Sequence, residues 1–497
     1  MIRRLSVFRP VRSFVPVRPA LPRRASLRLR CACLFALTGL SACTVGPTYR
    51  PPAPDVPASF MEAGVTWQRV SPGDTAVGDG AWWKAYGDAE LDALVDRALA
   101  ANPGVAQAEA NWRQAVAAVG EARAAAMPQL GVGASGSRGS NALRQMVPGG
   151  IDGLGGSVTT SVAFQANASW EPDLWGGVRQ QARASQATAD AAGSRWRAQR
   201  LSTVGTLITT YLSVRQLDID IGLLERQVTL YRALRDTTEA AHTIGTASFD
   251  DVLSARNALD QATVALTTAR ISREQAEHAV AVLSGSTPAA FTLAPRPAYQ
   301  FTAPPVPASV PSQVLRARPD IAAAERQMAA ANAQIGVAVA AWFPSMDLTA
   351  SGGYQGSSMS HLFSAPNQIW SLGPALVASV FDGGARRSRE AQARAGYDAA
   401  VAAYRQTVLG AMQEVEDDLS SLNHLGEQRR VQEQVQARQA TLLSNRKAQQ
   451  AAGTASQSDV LTDDISDAIA TKNAADAQAQ EAMASVKLRI ATAASDL

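Results

Sequence analysis

Apolar positions along this chain follow two rhythms, helical and strand-like, and the alternation between them occurs twice. Helical spacing predicts helices over about 104–126, 178–241 and 249–283, and again over about 320–341, 385–450 and 457–494. After the first helix of each set the period falls to two. Leu130, Val132 and Ala134 alternate with Gly or Ser, and Val158, Thr160, Val162, Phe164, Ala166 and Ala168 share one parity. Met346, Leu348 and Ala350 alternate likewise, as do Leu372, Pro374, Leu376, Ala378 and Val380 more loosely. Such alternation predicts strands with one apolar face, in pairs at about 129–170 and 345–381. Gly/Ser-rich loops at about 138–157 and 352–368 separate the members of each pair. Segments of roughly ten residues suit tilted transmembrane strands, although a small soluble sheet would alternate in the same way.

The halves correspond in detail. Asn102-Pro103 and Arg318-Pro319 each open a helix, with Pro where a missing N–H costs little. Those helices stop before Pro128 and Pro344. Both Pro pairs are offset by 216 residues, whereas Gly176-Gly177 aligns with Gly383-Gly384 at an offset of 207. Two nine-residue stretches, beginning at Gly245 and Gly453, match at seven positions. They read Gly245-Thr246-Ala247-Ser248 and Gly453-Thr454-Ala455-Ser456 at their starts, each followed by an Asp-Val-Leu. Gly stops helices and Ser starts them, so each is the tight turn of a helical hairpin, with tips at 242–251 and 450–459. A 64-residue helix would reach roughly 96 Å. The returning helices are too short to match it, and the helices at 104–126 and 320–341 could complete the rod end to end. A lone chain of this kind exposes sheet edges, a liability that closure with further copies removes.

The amino terminus changes the charge picture. Residues 1–42 hold nine Arg and no acidic residue, and end in a short apolar run from Cys31 to Ala42. That is an export signal, too short for a stable membrane span. Leu40-Ser41-Ala42-Cys43 resembles the bacterial lipobox, which makes Cys43 the lipidated first residue of the mature chain. Without the signal, 37 basic residues face 43 acidic ones, so the formal net charge changes from +3 to −6. The basic character therefore gives no support to nucleic-acid binding. One cysteine remains, so no internal disulfide or Cys metal site can form. The order is then signal (1–42), lipidated Pro-rich tether (43–80), first repeat (81–283), Pro-rich linker (284–311) and second repeat (312–497). The Trp82-Trp83 segment leads through an Asp88 N-cap into an amphipathic helix, and with the linker should cover the rods near their midpoint.

Other signals fall away. Gly131-Val132-Gly133-Ala134-Ser135-Gly136 has dinucleotide-loop spacing but follows a helix-ending Pro and opens no helix. The four His are scattered, and no metal or cofactor site and no nucleophile pattern stands out. The acidic run Glu414-Val415-Glu416-Asp417-Asp418 reads as a solvated helix face.

In this order and duplicated, the lipobox, the Trp82-Trp83 segment with Leu91 and Leu94, the Pro-bounded strands, the Gly-Gly exits and the Gly-x-x-Ser turns resemble the bacterial outer-membrane efflux channels of the TolC type, in their lipoprotein branch. The resemblance implies a non-enzymatic homotrimer: a twelve-stranded barrel in the outer membrane above a long helical tunnel crossing the periplasm. It implies a passive exit duct for drugs or other small molecules, fed by an inner-membrane pump through a periplasmic adaptor that meets the two tips. It also implies a periplasmic gate near Asp459, which matches the first acidic position of the family's Asp-Val-Leu-Asp motif. Thr462 departs from the second, although Asp463 and Asp464 follow. Asp459 reads equally well as a helix-start residue, where the helix dipole favours a carboxylate. A Tyr and an Arg that lock this turn in some members are Gln450 and Ala455 here. A duct for protein secretion and a periplasmic coiled-coil adaptor are the alternatives, but an adaptor has one hairpin and a soluble β module.

Overall fold

The computed structural model describes residues 44–51, 57, 59–63, 81–141, 157–306, 314 and 317–492. The export segment, Cys43 and most of the tether lie outside them. The elements run α1 (Ala89–Ala101), α2 (Pro103–Ala124), β1 (Gln129–Asn141), β2 (Ser157–Trp170), α3 (Gly177–Thr243), α4 (Phe249–Leu283), α5 (Pro319–Ala340), β3 (Ser345–Gly356), β4 (Gln368–Val377), α6 (Ala385–Ala451) and α7 (Gln457–Thr492).

The four strands form one antiparallel sheet in the order β1-β2-β3-β4. Its register carries the apolar parity across every strand: Leu130 faces Ala168, Ala168 faces Ala350, and Ala350 faces Leu372. One face is therefore continuous from Leu130 and Val132 to Leu372 and Leu376, while Ser, Gly, Gln and Asn dominate the other. No element of the described chain covers the apolar face: Leu130 is 77% exposed and Leu372 76%. The strands differ from expectation at their ends. β1 and β3 run on into the Gly/Ser stretches, because a ladder is held by backbone groups that Gly and Ser also carry, and β4 stops at Val377, short of Ala378 and Val380.

Helices α3 and α6 are each 67 residues long, which spans about 100 Å. Their starts, ends and tips all share an offset of 208, so Gly176 corresponds to Gly384 rather than to Gly383. Both are left-handed N-caps, with φ of 85° and 93°, and their place at the helix start rather than the Gly-Gly spelling fixes the correspondence. The short helices complete the rods. Asn102 caps α2 by accepting from the Gly104 and Val105 N–H groups, and donates to the Leu283 carbonyl that ends α4. At the matching position, Arg318 donates to the Ala491 carbonyl near the end of α7, joining it to α5. Side by side, the rods lie in the order α2/α4, α3, α5/α7, α6.

A belt covers the rods where these junctions fall. Trp83, Tyr86, Leu91, Leu94 and Val95 bury Val204, Leu207, Ile208 and Tyr211 near the middle of α3. Asp88 caps α1 as its position in the sequence predicts, accepting from the Glu90 and Leu91 N–H groups. Arg215, fully buried, pairs with Asp218 at 2.8 Å and Glu90 at 2.7 Å, and donates to the Ala294 carbonyl of the linker. The acidic run on α6 is a solvated face only in part: Glu414 and Asp417 are exposed, while Glu416 and Asp418 are half-buried. Glu414 pairs with Arg318 at 2.7 Å, and Glu416 accepts from the Met61 and Glu62 N–H groups. Burial, reinforced by Glu414, pushes the Asp418 carboxyl up to about 6.

Candidate functional site: the hairpin tips and the seam beside them

The two tips share one backbone closure. Gly245 and Gly453 hold φ of 82° and 73°, a conformation that only Gly adopts without a Cβ penalty. Gly245 N–H donates to the His242 carbonyl and Gly453 N–H to that of Gln450, both at 2.9 Å. The next residue closes the helix end twice over. Thr246 donates to the Ala241 carbonyl from its N–H at 2.8 Å and its hydroxyl at 3.0 Å, and Thr454 donates to that of Gln449 at 2.9 and 3.0 Å. Ala247 and Ala455 then lead into Ser248 and Ser456, which start the returning helices.

Each returning helix opens with a reciprocal cap. Ser248 Oγ accepts from the Asp251 N–H at 3.1 Å, and Asp251 accepts from the Ser248 N–H at 2.8 Å. Ser456 Oγ accepts from the Asp459 N–H at 3.1 Å, and Asp459 accepts from the Ser456 N–H at 2.9 Å. These bonds to Ser456 hold the Asp459 carboxyl below its ordinary range. Asp459 thus stands as a helix-start residue, and its counterpart Asp251 does the same work at the other tip. Capping leaves the carboxylate charged and exposed. Gln450 donates across the turn to Gln457.

Asp463 lies one turn further on and is paired with Arg446 of α6 at 2.8 Å, within its own hairpin. The adjacent seam between the hairpins was not legible in the sequence. There Arg226 of α3 pairs with Asp464 and, at 3.4 Å, with Asp467 of α7. Further up, Lys472 stands 3.4 Å from Asp220 and 2.6 Å from Asp476, which also accepts from Gln216 at 2.7 Å. Two carboxylates share one ammonium, and Asp220 Oδ1 is buried without a hydrogen-bond partner. Burial, and then Asp476, raise the Asp220 carboxyl to about 7. Partners 238 to 260 residues apart give no local signal. Among the described residues, no group of three or more His, Cys, Asp or Glu is placed to hold a metal.

At the opposite end, residues 44–51 run back along the helices from the sheet. Thr44 packs over Gly176, where an added Cβ would lie 3.0 Å from its methyl group. Val45 N–H donates to the Trp175 carbonyl at 3.1 Å. Thr44 is therefore seated beside the point where β2 gives way to α3. No helix of the described residues is long and apolar enough to cross a membrane.

Comparison with known proteins agrees with this architecture. The profile of the family described as "Outer membrane efflux protein" matches residues 94–286 and 310–494. The outer membrane protein OprJ of Pseudomonas aeruginosa is 34% identical over 411 residues, covering 79% of this chain and 80% of that protein. The antibiotic efflux pump outer membrane protein ArpC of Pseudomonas putida is 30% identical over 403 residues, covering 80% of this chain and 82% of that one. The open state of the MtrE outer membrane channel of Neisseria gonorrhoeae superposes with a TM-score of 0.78 at 27% identity, over 92% of this chain and 99% of that one.

Proposed function

The chain belongs to the outer membrane efflux protein family, and from that premise we propose that three copies close into a single exit duct. It is the outer-membrane component of an efflux system, passing small molecules outward. The carrying observation is that sheet and rods leave the same two edges open. The sheet ends in β1 and β4, and the rods end in α2/α4 and α6, so one rotation between copies closes both layers. Three copies of a four-stranded sheet make twelve strands, with the apolar face toward lipid and the polar face lining the lumen.

Exposed apolar side chains mark the helical edges. Val264 of α4 is 65% exposed, and Val431 and Val435 of α6 are 51% and 37% exposed. Val264 lies 15 residues from the start of α4 and Val435 lies 16 before the end of α6, so closure brings them to one level. Val264→Cys combined with Val435→Cys should give covalent trimers on oxidation, read on a non-reducing gel, while either single variant gives none. Covalent species no larger than dimers, or none at all, would sink the closed trimer.

The duct supplies a path and no energy. A pump in the inner membrane supplies the work, and a periplasmic adaptor joins it to this chain at the Gly245–Ser248 and Gly453–Ser456 tips. The rigid double closure of both turns supports that role, since a preorganised tip loses little entropy on docking. The three Asp459 carboxylates of a trimer, charged and exposed while capping, form a cation-attracting ring near the gate, with Asp463 held to Arg446 behind them. Cys43 carries a lipid in the outer membrane, and the seat of Thr44 at the strand-to-helix boundary supports this. Mass spectrometry of the mature amino terminus should find acyl chains on Cys43, and an unmodified terminus would refute the anchor.

A further inference from the structure

Where α7 ends and α5 begins, the wall between α3 and α6 holds a cavity of about 400 Å³. Its floor is apolar. Gly205 of α3 lets Ile490 of α7 seat directly on the helix, since an added Cβ would strike the Ile490 Cδ1, and Leu201 and Pro319 lie alongside. Polar groups from three helices surround that floor: Ser202 and Thr206 of α3, Glu414 of α6 and Lys487 of α7. All three helices place them on one face. Residues two apart in a helix point about 200° apart. Thr206 stands two residues from Val204 and Ile208, which the belt covers. Lys487 stands two residues from Ser485, bonded to Tyr86 of the belt, and two from Arg489, which donates to the Pro305 carbonyl of the linker. Glu414 stands two residues from Glu416, which accepts from the Met61 and Glu62 N–H groups. The cavity therefore opens away from belt, linker and tether, on the face that becomes the lumen when copies close with the belt outside.

The charges around it are not equivalent. Glu414 and Asp320 both pair with Arg318, at 2.7 and 2.8 Å, and Arg318 also donates to the Ala491 carbonyl. Lys487 is exposed and has no carboxylate within 4 Å among the described residues; its charge reaches the Asp418 carboxyl only from farther off. We propose that the cavity is a resting site on the duct wall for amphipathic small molecules that carry a carboxylate. Lys487 holds the carboxylate, with the exposed Ser202 and Thr206 hydroxyls as further donors, and Ile490 and Leu201 take the apolar body. The volume falls in the range of roughly 300–1,000 Å³ that suits such ligands. An ammonium-bearing molecule is a poorer occupant, because the acids on the rim are already committed to Arg318. A conduit benefits from sites that hold a passing molecule weakly enough to release it. This inference rests on the exit-duct reading above.

Two probes that share a fluorophore separate charge from body: dansylglycine carries a carboxylate, and dansylcadaverine an ammonium. Each is titrated onto purified full-length trimers in nanodiscs, with protein-free nanodiscs as the blank. Wild type should bind dansylglycine saturably and at least about tenfold more tightly than dansylcadaverine. Lys487→Met should weaken dansylglycine at least about tenfold, and Lys487→Arg by less than about threefold. Thr206→Phe, on a solvated face, should fill the cavity and abolish dansylglycine binding while trimers persist. Equal affinity for the two probes, or undiminished binding in Lys487→Met, would overturn the carboxylate assignment. Undiminished binding in Thr206→Phe would overturn the cavity as its seat. Wild-type trimers that bind no dansylglycine would overturn the site and leave the duct standing, provided the Val264–Val435 crosslink forms. Failure of that crosslink would remove the duct and, with it, the lumen on which the site depends.

Discussion

Single positions show how one backbone problem is met by different chemistry in the two halves. A rod built from two helices must satisfy the carbonyls that end one and the N–H groups that start the next. Asn102 does both with one amide, whereas Arg318 donates to Ala491 and takes its own charge balance from Asp320 and Glu414 at 2.8 and 2.7 Å. Asp220 poses the reverse problem, a buried carboxyl with too few donors. It faces Lys472 and Asp476 across the seam, with Gln216 on its own helix bound to Asp476. Its folded pKa of about 7 lies above the value of roughly 3.9 expected when unfolded. The folded state therefore keeps a proton that the unfolded state has lost. The stability it contributes is fully present below about pH 4 and is lost as pH rises through about 7. Asp220→Asn keeps the shape and removes the titration. Thermal unfolding followed by helix content should show the variant more stable than wild type at pH 8, with the advantage shrinking toward pH 5. An advantage that does not depend on pH would sink this account.

Elements were the most legible level, because each is announced by a local rule. Period-two runs marked the strand pairs, and Gly followed three residues later by Ser marked both tips to within a residue. The bounds that slipped did so for local reasons. Residues 138–141 and 352–356, in Gly/Ser-rich stretches, continue their strands because ladder hydrogen bonds use only the backbone, which composition does not reveal. The Gly-Gly pairs misaligned by one because the place of the helix start, and not residue type, identifies the N-cap: Gly383 is left-handed too, with φ of 64°, but stands one residue before the true counterpart Gly384. The acidic run on α6 read as solvated because its partners, Arg318 and the backbone at 61 and 62, come from distant segments. The seam pairs Arg226–Asp464 and Lys472–Asp220 were invisible for the same reason. Asp459 could be placed at a helix start from sequence, but only its bonds to Ser456 show how fully the cap engages it.

The whole molecule is governed by what it leaves uncovered. A soluble protein rarely exposes so broad an apolar sheet face. Closing the edges without covering that face is the arrangement suited to lipid, where every backbone group must be paired within the protein. Aromatic side chains flank the apolar band as they would at its two interfaces. Trp370, with Phe363 against Phe164 and Tyr354, lies toward one end, and Trp170, Trp342, Phe343 and Phe381 lie toward the other. This orientation separates neighbouring residues of one strand, since successive side chains point to opposite faces. Leu372 lies on the apolar face, opposite Ala350. Ser371, one residue earlier, lies on the polar face, with its hydroxyl 2.8 Å from that of Ser351. In the proposed barrel, Leu372→Arg places a guanidinium near the middle of the lipid band, at a cost of about 2–4 kcal/mol in each copy. Ser371→Arg places the same group in a water-filled lumen, where it is solvated. Recovery of trimers from outer membranes, and urea unfolding of the barrel in liposomes, should therefore fall sharply for the first variant and little for the second. Equal losses would mean that the two faces meet the same solvent, and the lipid-facing assignment of the sheet would have to be abandoned.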